Sequence, residues 1–325
     1  MILRFSKDLR EQHIYANGTE LASVMGKDRD AKGRRIFNHP KASELFVTTI
    51  KNPVLVTDVY RIAQMPPTVR DTIFKLYESP VRRTEYGGVA LDFEQGKYKG
   101  AWGPSIDTLL FCRALNKMDR GYFRGKSLVD IGAGSGFISK YILGTFPGVR
   151  SATLVDLSPH AIVSCKDNIK DKRAKFVCGD AIRYIKKRKF DVIVCNPPYI
   201  PRERSSDDNP YEGILLTTHL FSILRATLLP GGCFLTNISS LSEKDVYAAM
   251  KKYGITAVKL DTMNVPLKVM NVLNNKAWMR YLKKCGLKRT RRGGYEYYQS
   301  LTIVRVDSCP GRKEKGAERK TPHRK

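Results

Sequence analysis

The stretch Val129-Asp130-Ile131-Gly132-Ala133-Gly134-Ser135-Gly136 decides the fold of this chain. It begins as an apolar run and ends in three glycines spaced two apart, a pattern typical of a buried strand that turns tightly into a helix. Glycines at such a turn let the backbone approach a ligand closely, because a Cβ atom would collide with it. A dinucleotide fingerprint, Gly-x-Gly-x-x-Gly, requires glycine at position 137, which is Phe137 here. The glycine spacing therefore argues against a dinucleotide.

The sequence around this turn alternates short apolar runs with amphipathic stretches, the pattern of a mostly parallel sheet covered by helices. Strands are predicted near 126–131, 151–156, 174–178, 190–195, 232–238 and 255–260, and a final edge strand at 296–306. Helices are predicted near 137–145, 159–169, 181–187, 213–228 and 242–253. The sequence thus predicts an α/β, Rossmann-like fold with a seven-stranded sheet and helices on both faces.

The rest of the chain is divided by composition. Residues 1–85 are interpreted as a small mixed N-terminal region, with substrate binding as a candidate role, and residues 86–306 as the α/β domain. An insertion near 263–295 is predicted to contain a helix around Lys276–Cys285. The basic tail at 307–325 is predicted to be disordered, because it has almost nothing to bury.

The charge of the chain predicts a polyanionic partner. The formal net charge is +27, from 58 lysines and arginines against 31 acidic residues. RNA, DNA or a ribosomal particle fits this balance better than a small metabolite does. Basic clusters at Lys170–Lys175, Lys186–Lys189 and Lys288–Arg292 either form a surface that follows phosphates or are simply solvated faces.

Cysteine usage and hydropathy predict the compartment. The seven cysteines include no Cys-x-x-Cys pair, so no metal site is predicted, and reduced thiols are expected. No apolar run approaches the roughly 18 residues that span a bilayer. The first residues do not resemble a secretory or mitochondrial leader. We therefore expect a cytoplasmic protein, with its oligomeric state left open.

A second motif, Asn196-Pro197-Pro198-Tyr199, follows the predicted strand at 190–195. An amide or exocyclic amine nitrogen is a poor nucleophile, because its lone pair is delocalised. Two acceptors, the Asn196 side-chain oxygen and the Pro197 carbonyl, can bind both hydrogens of such an NH2 group and favour a pyramidal nitrogen. The two prolines fix the backbone, and Tyr199 is predicted to stack on the planar target.

Together the two motifs resemble those of class I S-adenosylmethionine-dependent methyltransferases that methylate planar NH2 nitrogens. The resemblance implies S-adenosylmethionine as the cofactor, and the catalytic residues Asn196, Pro197, Pro198 and Tyr199. It implies a cofactor site formed by Asp130, Gly132, Gly134, Gly136, Asp156, Asp180, Ala181 and Asn196. Asp156 ends the second strand, where a carboxylate can accept both ribose hydroxyls. An aspartate in such a position is also a common helix N-cap.

A further stretch, Gly103-Pro104-Ser105-Ile106-Asp107-Thr108, resembles an element of the release-factor glutamine methyltransferases, as does Tyr199-Ile200-Pro201. In that family the first element lies near the cofactor and the target. The resemblance therefore implies Pro104, Asp107 and Thr108 as substrate-binding residues.

Three hypotheses for function follow. The first is a methyltransferase that acts on a glutamine of a release factor or another ribosome-associated protein, with a role in translation. The second is a methyltransferase that acts on adenine N6 or guanine N2 of RNA or DNA, which the net charge favours. The third is a noncatalytic RNA-binding assembly factor that keeps the fold.

Overall fold

A computed structural model describes residues 2–5, 12–16, 19–24, 81–94, 96–203, 213–267, 272, 275–289 and 297–308. The strands are β1 (Ile2–Phe5), β2 (Gln12–Ala16), β3 (Thr19–Val24), β4 (Arg82–Tyr86), β5 (Val89–Phe93), β6 (Ser127–Ile131), β7 (Ser151–Asp156), β8 (Ala174–Cys178), β9 (Phe190–Cys195), β10 (Leu228–Ser239), β11 (Val258–Pro266), β12 (Lys288–Arg289) and β13 (Tyr297–Asp307). The helices are α1 (Ile106–Leu115), α2 (Phe137–Thr145), α3 (Pro159–Asn168), α4 (Ala181–Ile185), α5 (Leu215–Thr227), α6 (Glu243–Lys252) and α7 (Lys276–Lys284).

The main sheet has the strand order β11-β13-β10-β9-β6-β7-β8, and the two-residue β12 pairs with β13 outside this path. Strands β6 to β10 are parallel to one another, whereas β13 runs antiparallel to both β10 and β11. The predicted α/β fold with a mostly parallel seven-stranded sheet is confirmed.

Successive apolar side chains along each strand point to opposite faces of the sheet, so both faces are apolar. Leu128 and Val192 pack on one face against α1, α2 and α3. Their chain neighbours Val129 and Ile193 pack on the other face against α4, α5 and α6. Helices therefore cover both faces, and the strands read as nearly continuous apolar runs because both sides are buried.

The strands that contribute to the site all reach one edge of the main sheet, which we call the carboxyl edge. The carboxyl ends of β6 to β10 lie there, as expected for parallel strands. Because β13 is antiparallel to its two neighbours, its amino end and the carboxyl end of β11 lie at this edge too. The connection from β11 to β13, which contains α7, is therefore at the carboxyl edge.

Two predictions for this end of the sheet were wrong. The strand predicted at 296–306 as an edge strand is β13, and it lies between β10 and β11. The strand predicted at 255–260 runs instead over Val258–Pro266, because Lys259–Pro266 pairs with the long β13. The predicted helix around Lys276–Cys285 is present as α7.

A second sheet with the order β3-β2-β1-β4-β5 comes from the N-terminal part of the chain. The hairpin β4–β5 pairs with β1 through β4 and contacts α3 through β5. Asn168 at the end of α3 donates to the Asp92 carbonyl at 2.8 Å and accepts from the Asp92 N–H at 3.0 Å. The division at residue 85 stays a prediction, and most of the predicted tail, from residue 309, lies outside the described residues.

No helix in the described ranges combines the length and the apolar character needed to cross a membrane.

Candidate active site

A cavity of about 460 Å³ opens at the carboxyl edge of the parallel strands, a size typical of small-molecule sites. The turns after β6, β7 and β8 form one part of its lining, which we call the glycine half. The start of α1, the loop after β9 and the connection from β11 to β13 form the other part, which we call the amide half.

The glycine turn after β6 brings backbone to the cavity. Gly134 has a φ of +55°, and a Cβ atom there would lie 3.1 Å from the Trp102 carbonyl oxygen. Gly132 also lines the cavity. Gly136 does not: it begins α2 with a φ of +81°, and a Cβ atom there would lie 3.0 Å from the Cys165 sulfur. The third glycine is thus required for packing of the turn against α3.

The Asp156 carboxylate is held in place by backbone donors. Its Oδ2 accepts a hydrogen bond from the Gly134 N–H at 2.9 Å, and its Oδ1 accepts one from the Ser158 N–H at 2.8 Å. Each oxygen keeps a free lone pair, because a carboxylate oxygen can accept two hydrogen bonds. Asp156 lines the cavity, so a pair of ligand hydroxyls can be bound there bidentately.

Asp180 serves as the N-cap of the short helix α4. Its Oδ1 accepts from the Ile182 N–H at 2.8 Å and from the Arg183 N–H at 3.2 Å. Asp180 and Ala181 also line the cavity. The two interpretations of this aspartate, N-cap and ligand contact, are therefore compatible.

Asp130 is a buried carboxyl group, with 2% of its surface exposed. Burial raises its pKa to about 6, against the hydrogen bond that Ser139 donates at 2.7 Å, while the Asp156 charge adds to the increase. A carboxyl group in this state binds a cationic ligand well, because the ligand charge compensates for lost solvation. Asp130 lines the cavity.

The glycine half fits S-adenosylmethionine, the cofactor predicted from the sequence. Gly132 lines the cavity with a φ of +66°, and apart from the adjoining residues no protein atom lies within 4 Å of the place where its Cβ would be, so a ligand can approach the backbone there. Asp156 offers acceptors to ribose hydroxyls, and Asp130 offers a carboxylate to the ammonium group of the methionine end.

The predicted catalytic amide of Asn196 is fixed at both ends. Its Nδ2 donates to Asp107 Oδ2 at 2.8 Å, and its Oδ1 accepts from the Asn237 side-chain NH2. The same Asn237 nitrogen lies 3.4 Å from the Pro197 carbonyl oxygen. Because a carboxylate only accepts hydrogen bonds, Asp107 sets the polarity of this chain, and the Asn196 oxygen faces away from it.

The rest of the loop after β9 continues along the cavity wall, where Pro197, Pro198 and Tyr199 all line the cavity. Burial raises the pKa of Tyr199 well above its usual range, and the nearby Asp107 charge acts in the same direction. The phenol is therefore neutral, which suits a ring that packs against a planar group.

The residues predicted from the Pro104–Thr108 element have different roles. Asp107 accepts from Asn196 and from the Ser105 hydroxyl. Thr108 accepts the Ser105 N–H at 3.3 Å at the start of α1 and lines the cavity. Pro104 does not line it. The element therefore holds Asn196 and begins a helix.

The wall opposite this element comes from the connection between β11 and β13. Trp278 of α7 lines the cavity, and its indole N–H donates to the Pro201 carbonyl at 2.8 Å. The Arg202 guanidinium carbon lies 4.0 Å from the centre of the Trp278 ring. Three apolar residues of the same connection or its flanking strands complete the wall: Val265, Leu267 and Val272.

Gln299 is the polar residue of this wall, and 4% of its surface is exposed. Its Oε1 accepts from the Ser239 hydroxyl at 2.6 Å, and the Ser239 oxygen accepts from the Leu241 N–H at 3.1 Å. The carbonyl end of the Gln299 amide is thus occupied, and its NH2 end is left to act as a donor.

The structure brings all the predicted site residues to one cavity except Gly136 and Pro104. Sequence reasoning missed Asn237, Gln299 and Trp278. The only signal for Asn237 is a polar residue inside an apolar strand, Phe234-Leu-Thr-Asn-Ile238. Within the described ranges, no cluster of three His, Cys, Asp or Glu side chains is arranged to hold a metal ion.

Comparison with known families and proteins agrees with this geometry. Residues 106–232 match the model of the methyltransferase small domain. The release factor glutamine methyltransferase of Caulobacter vibrioides is 28% identical over 151 residues, 41% of this chain and 52% of that protein. The corresponding enzyme of Koribacter versatilis is 28% identical over 156 residues, 43% of this chain and 55% of that protein.

A tRNA1(Val) (adenine(37)-N6)-methyltransferase of Shewanella halifaxensis is 29% identical over 111 residues, 32% of this chain and 37% of that protein. The chain spans about half the length, or less, of these three relatives. Residues 106–232, which match the family model, contain the glycine turn and the loop after β9.

Proposed function

We propose that this chain, a class I S-adenosylmethionine-dependent methyltransferase whose residues 106–232 form a methyltransferase small domain, transfers a methyl group to a planar NH2 nitrogen. The observation that carries this proposal is the chain of hydrogen bonds from Asp107 through Asn196 to Asn237. This chain fixes the Asn196 amide at the cavity wall with its oxygen turned away from Asp107, which supports a role for that oxygen as an acceptor for the substrate NH2 group.

Bound S-adenosylmethionine supplies a methyl group on a positively charged sulfur, which leaves as a neutral thioether when the new N–CH3 bond forms. Asn196 Oδ1 and the Pro197 carbonyl each accept one hydrogen of the NH2 group. Both dipoles interact most strongly with the partial positive charge that develops on nitrogen as the methyl group moves. Such interactions stabilise the transition state more than the ground state.

Asn237 holds both acceptor oxygens, Asn196 Oδ1 and the Pro197 carbonyl, in position. It donates to Asn196 and Pro197 from one nitrogen, and each carbonyl oxygen keeps a second lone pair for the substrate. Asn237 has 2% of its surface exposed, so it holds the two oxygens from behind, away from solvent. We assign it as a positioning residue.

Proton removal needs no strong base, because a methylated, positively charged nitrogen is acidic enough to lose a proton to water. Asp107 already accepts from Asn196 Nδ2 and from the Ser105 hydroxyl. Its role is therefore to orient Asn196.

Gln299 gives the acceptor site its second polar contact. The planar groups that carry an NH2 of this kind have a hydrogen-bond acceptor beside it, either a carbonyl oxygen or a ring nitrogen. The Gln299 NH2 group is a donor at the cavity wall. We propose that it binds this neighbouring acceptor and so selects amides and amino-heterocycles over simple amines.

The first candidate acceptor is a protein glutamine, in a release factor or another ribosome-associated protein. The two release-factor relatives support it, and the resemblance of the Pro104–Thr108 and Tyr199–Pro201 segments points the same way.

The second candidate is an exocyclic amine of RNA or DNA, adenine N6 or guanine N2. The net charge of +27 and the adenine-methylating relative support it. A noncatalytic assembly factor would have no use for the Asp107–Asn196–Asn237 chain, so we do not favour it.

One experiment tests the proposal and separates the two acceptors. The protein is incubated with methyl-labelled cofactor and a cell extract, and the product is treated with protease or with ribonuclease. Label released only by protease supports glutamine, and label released only by ribonuclease supports an RNA base. No label in any macromolecule, from protein that binds the cofactor, would contradict the proposed transfer.

A further inference from the structure

The three basic clusters of the sequence lie at different edges of the sheet. Lys170–Lys175 and Lys186–Lys189 lie at or just before the amino ends of β8 and β9. They are therefore at the edge opposite the cavity. The third region is different, because the connection from β11 to β13 lies at the carboxyl edge.

The cations of α7 form one face of that helix. Lys276, Arg280, Lys283 and Lys284 are exposed, and at 3.6 residues per turn they fall within an arc of about 100°. Met279 and Leu282 are buried on the opposite side. The helix thus turns its apolar side to the protein and a cationic face to solvent.

The segment that contains α7 carries no acidic residue, and two carboxylates from other parts of the chain act on Tyr281 of the helix. Residues 275–289 contain no aspartate or glutamate. The acidic groups recorded around the helix, Asp245 and Glu203, act on Tyr281, where they add to the effect of burial and of Cys285 in raising its pKa to about 12. Tyr281 lies about 100° around the helix from Arg280 and about 60° from Lys284, so Lys284 is the cation of this face closest in angle to the side on which these carboxylates act.

The same helix forms part of the cavity. Trp278 lines it and donates to Pro201, which follows the catalytic loop by two residues. The Arg202 guanidinium lies over the same indole ring. Trp278 lies about 160° around the helix from Arg280, so α7 turns this indole to the cavity and its cations outward. A polyanion bound along α7 would therefore lie one helix diameter, about 10 Å, from the amide half.

We propose that the cationic face of α7 is a docking surface for single-stranded RNA, which carries the acceptor base to the cavity. Lys276 to Lys284 span about 12 Å along the helix, enough for two or three consecutive phosphates. A base has to leave its stack to enter an enclosed site, so an unpaired strand is the form that fits. This inference rests on the proposed function and takes up its second candidate acceptor, since it identifies RNA as the macromolecule that presents the NH2 group.

The test compares two triple variants that change the net charge equally. The first carries Lys276→Glu, Arg280→Glu and Lys284→Glu on α7. The control carries Lys186→Glu, Lys187→Glu and Lys189→Glu at the opposite edge, where all three side chains are exposed. Binding of a fluorescein-labelled, unstructured 20-nucleotide RNA is measured by anisotropy between 50 and 300 mM salt, and thermal melting checks that both variants are folded.

We expect the α7 variant to bind the RNA at least tenfold more weakly, with the slope of log K against log salt reduced by about 2, because roughly 0.7 counterions are released per phosphate contact on a single strand. The control should bind within about twofold of the unmodified protein. Equal losses in both variants, no loss in the α7 variant, or tighter binding of a 20-base-pair duplex would overturn the proposal.

Failure of the docking surface and failure of the proposed reaction give different results. The binding assay contains no cofactor, so it measures docking of the RNA independently of methyl transfer. Normal RNA binding with no transfer to any acceptor would contradict the reaction alone. Efficient labelling of a protein by the α7 variant, at the rate of the unmodified chain, would contradict the docking surface and leave the reaction intact.

Discussion

The two halves of the cavity are built in different ways. The glycine half comes from three successive strand-to-helix turns within residues 130–183, and its key contacts join neighbours such as Asp156 and Gly134. The amide half combines Asp107, Asn196, Asn237 and Gln299, which lie up to 192 positions apart along the chain. A site formed by turns of the backbone is determined by residues close together in the sequence. A site formed by hydrogen-bonded side chains from several strands depends on the order of the strands in the whole sheet.

The largest expected effect is on the amide half. Asn196→Ala removes an acceptor that acts mainly in the transition state, so we expect kcat to fall about 10²- to 10³-fold. Cofactor affinity should change little, since the glycine half is intact. Single-turnover transfer with labelled cofactor and calorimetric cofactor binding measure the two effects. Normal transfer by this variant would disprove the assignment of Asn196.

A substitution in the glycine half should have the opposite result, with cofactor affinity lowered and methyl transfer retained. Asp156→Ala removes a charged acceptor that is also bonded to the Gly134 N–H. We expect cofactor binding to weaken by about 10- to 100-fold, the usual range for a hydrogen bond to a charged group. Transfer at saturating cofactor should be retained. A variant with normal affinity and reduced kcat would mean that the two halves are not separable.

A smaller effect is expected from Asn237→Leu. In this variant Asn196 still donates to Asp107, but the Asn196 oxygen loses the hydrogen bond from Asn237. We expect kcat to fall about tenfold, in line with loss of one buried hydrogen bond, with cofactor affinity unchanged. The matched control is Thr236→Val on the same strand. Its buried hydroxyl has no partner among the described residues, so this variant should keep full activity and stability.

A melting temperature lowered equally in both variants, with equal activity, would assign Asn237 a purely structural role. Activity restored by Asn237→Gln would support positioning through the amide.

The smallest effect concerns pH. We expect Asp130 to bind the cationic end of the cofactor only when ionised, and burial raises its pKa to about 6. Affinity should therefore be full above pH 7, fall about twofold at pH 6 and about tenfold at pH 5. Calorimetry across this range measures it, and Asp130→Asn should bind weakly at every pH. A flat profile in the unmodified protein would show that Asp130 does not contact that charge.

The raised pKa of Asp130 also predicts the direction in which the stability of the fold changes with pH. The folded protein holds the Asp130 proton more tightly than the unfolded chain, whose pKa is near 3.8. This group therefore makes the cofactor-free fold less stable as pH rises from about 4 to 6. Cofactor binding should offset that loss, since it supplies the missing positive charge.

The contrast between the halves explains what could be predicted from the sequence. The strands, the glycine turn and Asp156 follow from patterns within about thirty residues, and residues 106–232, which contain the glycine turn and Asp156, match the methyltransferase small domain. Gly136 follows the same pattern yet packs against α3, because spacing alone does not say which glycine faces the ligand.

Asn237 and Gln299 could not be predicted, because their roles depend on strand order. Only the position of β13 between β10 and β11 places Gln299 beside Ser239. The basic clusters teach the same lesson, since Lys186–Lys189 and Lys288–Arg289 are both basic in sequence yet lie at opposite edges of the sheet. Of the predicted cluster Lys288–Arg292, only Lys288 and Arg289 lie within the described residues.

The position of β13 also has a consequence for synthesis. The ribosome makes the chain from its amino end, so the turns of the glycine half, and β9, which pairs with β6, are made before β13. The amide half also needs residues 297–307, which insert between two strands made earlier. A chain that lacks β13 is therefore expected to keep the three turns of the glycine half and to lose the part of the wall that Gln299 supplies.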